Sequence, residues 1–177
     1  MVVLEQTSAN RNGTLHVGHI RNSIIGDTLA RAFRKAGYPL EVHYYVNDMG
    51  RQIAIVSWGF SHNPLPAEEG EKSDHHIARV YVAANRAIEA DETITAEVDR
   101  LMQQIEAGDP ETRKNFREVV SHCLYGFKVT MKNLNFAHER FAWEGLRAQR
   151  RHAPLAGQRS ICLTHFASQR AILSFAV

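Results

Sequence analysis

A chain of 177 residues with 44% hydrophobic and 23% charged content is long enough to bury one core. Its net charge of +2 hides an asymmetry: residues up to Glu144 hold all 19 acids but only 16 of the 21 Lys and Arg, a balance of −3, while 145–177 carry five arginines and no acid. The two cysteines lack metal-ligand spacing, and no basic-then-apolar leader or run of 18 apolar residues occurs, so a disulfide framework, export and membrane spanning are all disfavoured and a reduced, cytoplasmic protein is expected.

Residues 2 to 6 are short and β-branched and predict a buried strand. Ile20, Ile24, Ile25, Leu29, Ala32 and Phe33 follow the helical period and predict a helix from about Gly18 to Ala36, stopped by Gly37 with Pro39 beyond, with that apolar set as its buried face. Leu40 to Val46 reads as a second strand, and the strand-helix-strand order implies a parallel pair with a right-handed crossover. A third helix is expected over roughly residues 49 to 61, capped by Asn47 or Asp48.

A Pro, Gly and Glu-rich connector over 63–73 then separates this half-sheet, residues 1–62, from a helical insertion over 74–135. Its first two helices carry Ile77, Val80, Tyr81, Ala84 and Ile88, then Ile94, Val98, Leu101, Met102 and Ile105 before Gly108. Asp109-Pro110-Glu111 signals a third start, and Phe116, Val119, Val120, Cys123, Leu124, Phe127, Met131 and Leu134 form one long stripe that needs partner surface and makes Cys123 a core residue. His75 and His76 point to different sides of a helix, a poor metal pair, and are expected at the surface or at a cap. Residues 136–177 read as a divergent basic tail, with disorder as one outcome; the segment 135–144 reads as a loop entering another strand, and no convincing element follows it.

The chemistry concentrates in Ser8-Ala9-Asn10-Arg11-Asn12-Gly13-Thr14-Leu15-His16-Val17-Gly18-His19, between the first strand and the first helix. A helix start there leaves the N–H groups of residues 18 to 21 for an anion, favoured by the helix dipole. His16 and His19, three apart, can share one side of the first turn, and Gly18 lets a flat ligand approach the backbone. Phosphate binding is the expectation, at the carboxyl edge of the sheet where open α/β folds hold ligands.

His16-Val17-Gly18-His19 resembles the H-x-G-H signature of class I aminoacyl-tRNA synthetases and related nucleotidyltransferases. With Glu5-Gln6-Thr7-Ser8-Ala9-Asn10, Arg21 to Asp27, Tyr45 to Gln52, Arg79 to Asn85 and Phe141-Ala142-Trp143-Glu144, the resemblance narrows to arginyl-tRNA synthetase, covers residues 1 to 144, and stops. It implies an α/β fold, the first half of a Rossmann-like parallel sheet of the H-x-G-H type followed by a helical insertion. It also implies activation of arginine by ATP, with Mg2+, to arginyl-adenylate, and transfer to tRNA. In that reading His16 and His19 stabilise the α-phosphate in the transition state, Gly18 lies against the nucleoside, and Glu5, Ser8 and Asn10 line the amino-acid end of the arginine pocket.

Two departures qualify the resemblance. The family's second phosphate loop is lysine-containing, and this chain has no lysine after Lys132; the lysine that stands three residues before the first histidine in members lacking that loop is Gly13 here. The expectation is therefore a truncated piece, inactive alone, consistent with a frame shift after Glu144. Rival readings are a complete small adenylyltransferase, which would need a second phosphate-binding segment, and a non-catalytic module binding RNA or protein through its arginines.

Overall fold

The computed structural model describes residues 2–9, 13–145 and, for the backbone alone, 159–162. Contacts divide the chain into two units: one holds Met1–Ala9, Leu15–Val46 and the chain from Met131 on, the other Asn10–Thr14 and Asn47–Thr130.

In the first unit, Val2–Glu5 forms β1, Val17–Lys35 forms α1 and Leu40–Val46 forms β2, the expected crossover, with β1 and β2 parallel and Leu4 opposite Val42. In β2 alternate residues Val42, Tyr44 and Val46 are buried, as a strand with one fully covered face requires. Leu4, Ala30 and Val42 make a small core with Leu40 against it. Within the segment expected only to lead into another strand lies β3 itself, Arg140–Trp143, parallel to β2. It is held at its entry by Glu139, whose N–H donates to the Val42 carbonyl at 2.9 Å while its carboxylate accepts from Val42 N–H at 2.6 Å and pairs with Arg34 at 2.5 Å.

A fourth strand, β4, Arg159–Cys162, runs parallel along the free edge of β1, so the sheet order is β3-β2-β1-β4. No element was expected after β3. Ser160-Ile161-Cys162 is too short to announce itself by periodicity, and what makes it a strand is the unpaired edge of β1.

The buried face of α1 also departs from expectation. Ser23, Gly26 and Ala30 are buried, whereas Ile24, Ile25 and Leu29 are exposed. Small residues let the helix lie close over β1: a Cβ on Gly26 would stand 2.1 Å from Cβ of Gln6. Close approach, not side-chain hydropathy, selected the face.

The second unit is helical. Arg51–His62 forms α2, Ser73–Ala90 α3, Thr93–Ala107 α4 and Pro110–Asn133 α5, the last reaching into the first unit by its final residues. The cap of α2 is Gly50, without a side-chain bond, in place of Asn47 or Asp48; Asn47 Oδ1 accepts from Met49 N–H at 3.2 Å and closes a turn before the helix begins. Elsewhere the punctuation matches expectation. Gly108 ends α4 at φ +84°, and Asp109 accepts from Thr112 N–H at 2.7 Å to start α5. The α5 stripe is buried from Phe116 to Met131, Cys123 included, while Leu134 is exposed.

Asp74 and His76 are among the buried polar side chains of this unit. Asp74 is fully buried, and Lys72 Nζ approaches it at 3.0 Å as a charge contact without hydrogen-bond alignment, while donating to Thr130 Oγ1 at 2.7 Å. His76, expected at the surface or at a cap, is also buried, and α5 supplies His122 across from it. Among the described residues no helix is long and apolar enough to cross a membrane.

Candidate functional site

The loop after β1 is fixed before it reaches α1. Ser8 Oγ donates to Glu5 Oε1 at 2.5 Å and accepts from Tyr45 N–H at 3.3 Å, and the buried Tyr44 hydroxyl accepts from Ala9 N–H at 3.2 Å. Glu5 and Ser8 are thus brought together at the carboxyl ends of β1 and β2. Asn10 lies outside the described residues.

α1 begins with an unusual cap. His16 is the N-cap residue, extended at φ −115°, and its Nδ1 accepts from Gly18 N–H at 3.1 Å. His19 returns the bond: its Nδ1 accepts from His16 N–H at 3.2 Å. This is a reciprocal capping box made by two imidazoles in place of the usual hydroxyl and carboxyl. The rings stack at 3.8 Å between centroids and 29° between planes. Gly18 is required by that stack, since a Cβ there would stand 2.9 Å from Cε1 and 3.0 Å from Nδ1 of His16.

The cap revises the expected source of anion donors. Gly18 N–H is taken by His16 Nδ1, and the N–H groups of His19 and Ile20 are taken by the His16 carbonyl at 2.9 and 3.2 Å. The backbone amides are therefore committed to the helix. With Nδ1 of each accepting, the neutral ring carries its proton on Nε2. Burial, and then the neighbouring His16, push His19 below its ordinary value, so it rests as a neutral donor.

Two residues outside the motif hold His19 in place. Thr7 hydrogen bonds to Ser23, and Ser23 in turn donates to the His19 carbonyl at 3.0 Å. That chain runs from the loop after β1 into the turn of α1 that carries His19. The signal for Ser23 was present in its spacing, four residues from His19 on the same helix face. Thr7 gave none, because only the fold brings it to Ser23. Farther along the same sheet, His138 packs edge-on to Tyr44 at 5.4 Å and meets Gln6 Nε2 at 3.5 Å; burial pushes it down to about 4.

The chain has similar proteins among those already known. Residues 1–150 match the family described as tRNA synthetases class I (R), catalytic domain. The arginine–tRNA ligase of Methanoregula boonei is 71% identical over 143 residues, covering 81% of this chain and 26% of the relative; that of Methanosphaerula palustris is 69% identical with the same coverage. The solved arginyl-tRNA synthetase of Thermus thermophilus superposes with a TM-score of 0.70 at 33% identity, covering 84% of this chain and 24% of that one. The chain spans about a quarter of the length of the curated relatives it matches.

Proposed function

The chain belongs to the arginyl branch of the class I tRNA synthetases, and on that premise we propose that it forms the ATP-facing wall of a site that activates arginine. The overall reaction would join arginine and ATP into arginyl-adenylate with release of pyrophosphate, then pass the arginyl group to tRNA, in a cytoplasmic setting. Mg2+ would enter with the ATP phosphates as part of the substrate.

The observation that carries this reading is the tautomer imposed by the cap. Both imidazoles use Nδ1 on the backbone, so both present Nε2–H from one helix start, where the dipole favours negative charge. As the arginine carboxylate attacks the α-phosphorus, charge grows on the non-bridging oxygens. Donors already aimed there bind the transition state better than the ground state. His16 and His19 would serve as these donors, and Gly18 would let the nucleoside lie against the first turn. Glu5, its carboxylate oriented by Ser8, would receive the α-ammonium of arginine, with Asn10 completing the amino-acid end. Thr7 and Ser23 are positioning residues.

The proposed division of labour gives this chain the wall carrying His16 and His19 and no lysine-containing second phosphate loop, since no lysine follows Lys132. The chain by itself is accordingly expected to bind ATP without catalysing arginine-dependent exchange of pyrophosphate into ATP. Titrating the full chain with Mg·ATP in a calorimeter tests the assignment. Binding should weaken at least tenfold in His16→Ala/His19→Ala, and equal affinity in the double variant would reject it.

A further inference from the structure

The helical unit contains a second pair of imidazoles with no part in the site above. His76 on α3 and His122 on α5 meet with Nδ1 of the first 3.4 Å from Nε2 of the second, their rings at 83°. They line a cavity of about 440 Å³ together with Phe60, Asn115, Glu118 and Val119. We propose that this pair is a binding site for a divalent transition metal ion of the zinc class.

Three observations converge. First, 3.4 Å is long for an N–H···N hydrogen bond, whose usual range ends near 3.2 Å, but two nitrogen ligands about 2.05 Å from a tetrahedral ion stand roughly 3.3 Å apart. Second, the tautomer of His76 is already that of a ligand. Its Nε2–H donates to the Leu65 carbonyl at 2.8 Å, which leaves the Nδ1 lone pair facing His122 and supplies the orienting outer bond that metal-bound histidines characteristically make. Phe60 packs edge-on against that ring at 5.4 Å and holds its plane.

Third, the remaining coordination positions have somewhere to go. Glu118 precedes His122 by one turn of α5 and lines the same cavity, the spacing that puts a carboxylate and an imidazole on one helix face. In the present geometry the described residues include no group of three or more His, Cys, Asp or Glu side chains placed to hold an ion. A rotation of the Glu118 side chain toward His122 would supply the third ligand, with water in the cavity as the fourth.

The experiment is titration of the full chain with Co2+, read by visible d–d absorption, and with Zn2+ by calorimetry. One ion per chain is expected, with affinity at least tenfold weaker in His122→Ala and in His76→Ala, reduced in Glu118→Gln, and unchanged in His75→Ala, an exposed neighbour. His122 is exposed, so its replacement should leave the helical circular dichroism intact and separates ligand loss from unfolding. Absence of saturable binding, or equal binding by the His122→Ala and wild-type chains, would overturn the site. The outcome is independent of ATP binding at His16 and His19.

Discussion

Replacing Gly18 with alanine would set a Cβ 2.9 Å from Cε1 of His16, where comfortable contact begins near 3.4 Å. The backbone there is helical and accepts any residue, so the clash falls on the His16 ring alone. The ring must swing away, and its Nδ1 then loses Gly18 N–H. Two stability terms oppose each other: alanine in place of glycine in a helix gains about 0.8–1 kcal/mol, and loss of an N-cap bond costs about 1 kcal/mol. The net change in unfolding free energy should be near zero. Function should behave otherwise, because the free imidazole no longer holds its proton on Nε2 in a fixed direction. Losing one charge-assisted hydrogen bond costs about 1.5–3 kcal/mol, roughly tenfold to a hundredfold in affinity for ATP. Urea unfolding and calorimetric titration with Mg·ATP on the same preparation measure both quantities. A Gly18→Ala chain that binds ATP as well as wild type would refute the argument that the cap aims the donors, and one that unfolds several kcal/mol more easily would refute the claim that only the ring must move.

Two further predictions concern stability. His138 is held near 4 in the folded chain against 6.5 when exposed, so the unfolded state takes up more protons between those values and stability should rise with pH across that window. Acidification from pH 7 to below 4 should remove about 3 kcal/mol through this residue, and the slope should flatten in His138→Phe; an unchanged slope would contradict it. In the helical unit, Lys72→Met strips Asp74 of its cation and should cost about 2–3 kcal/mol, less than a fully enclosed pair because Lys72 is partly exposed. Adding Asp74→Asn should recover most of that in urea melts, and no recovery would mean that Lys72 acts by packing alone.

What could be read from the chain before its fold was known depended on how local the cause was. The H-x-G-H segment was legible because His16, Gly18 and His19 act within one turn, and helix stops at Gly37 and Gly108 were legible because a left-handed residue announces itself. That the first-turn amides are taken up within the cap is not legible, because nothing in the spacing says that an imidazole will take an amide for itself. The face of α1 was misjudged for a different reason: Ser23, Gly26 and Ala30 are buried by closeness to β1, a property of two elements together. The burial of His76 is not legible in its own helix, since its neighbour His122 lies 46 residues later. β4 was invisible for the same reason, as its pairing partner is at the other end of the chain.

The histidine cap has a consequence for how binding and folding are linked. The two rings are ordered by the same bonds that start α1, so their orientation is settled when the helix forms and no separate ordering step awaits the nucleotide. By reciprocity, a phosphate that grips Nε2 of either ring must also strengthen the hold of Nδ1 on the first-turn amides. A bound nucleotide would therefore act on α1 as a staple, suppressing fraying at Val17 and Gly18, and any change that loosens this end of the helix would be felt as weaker nucleotide affinity even without touching an imidazole.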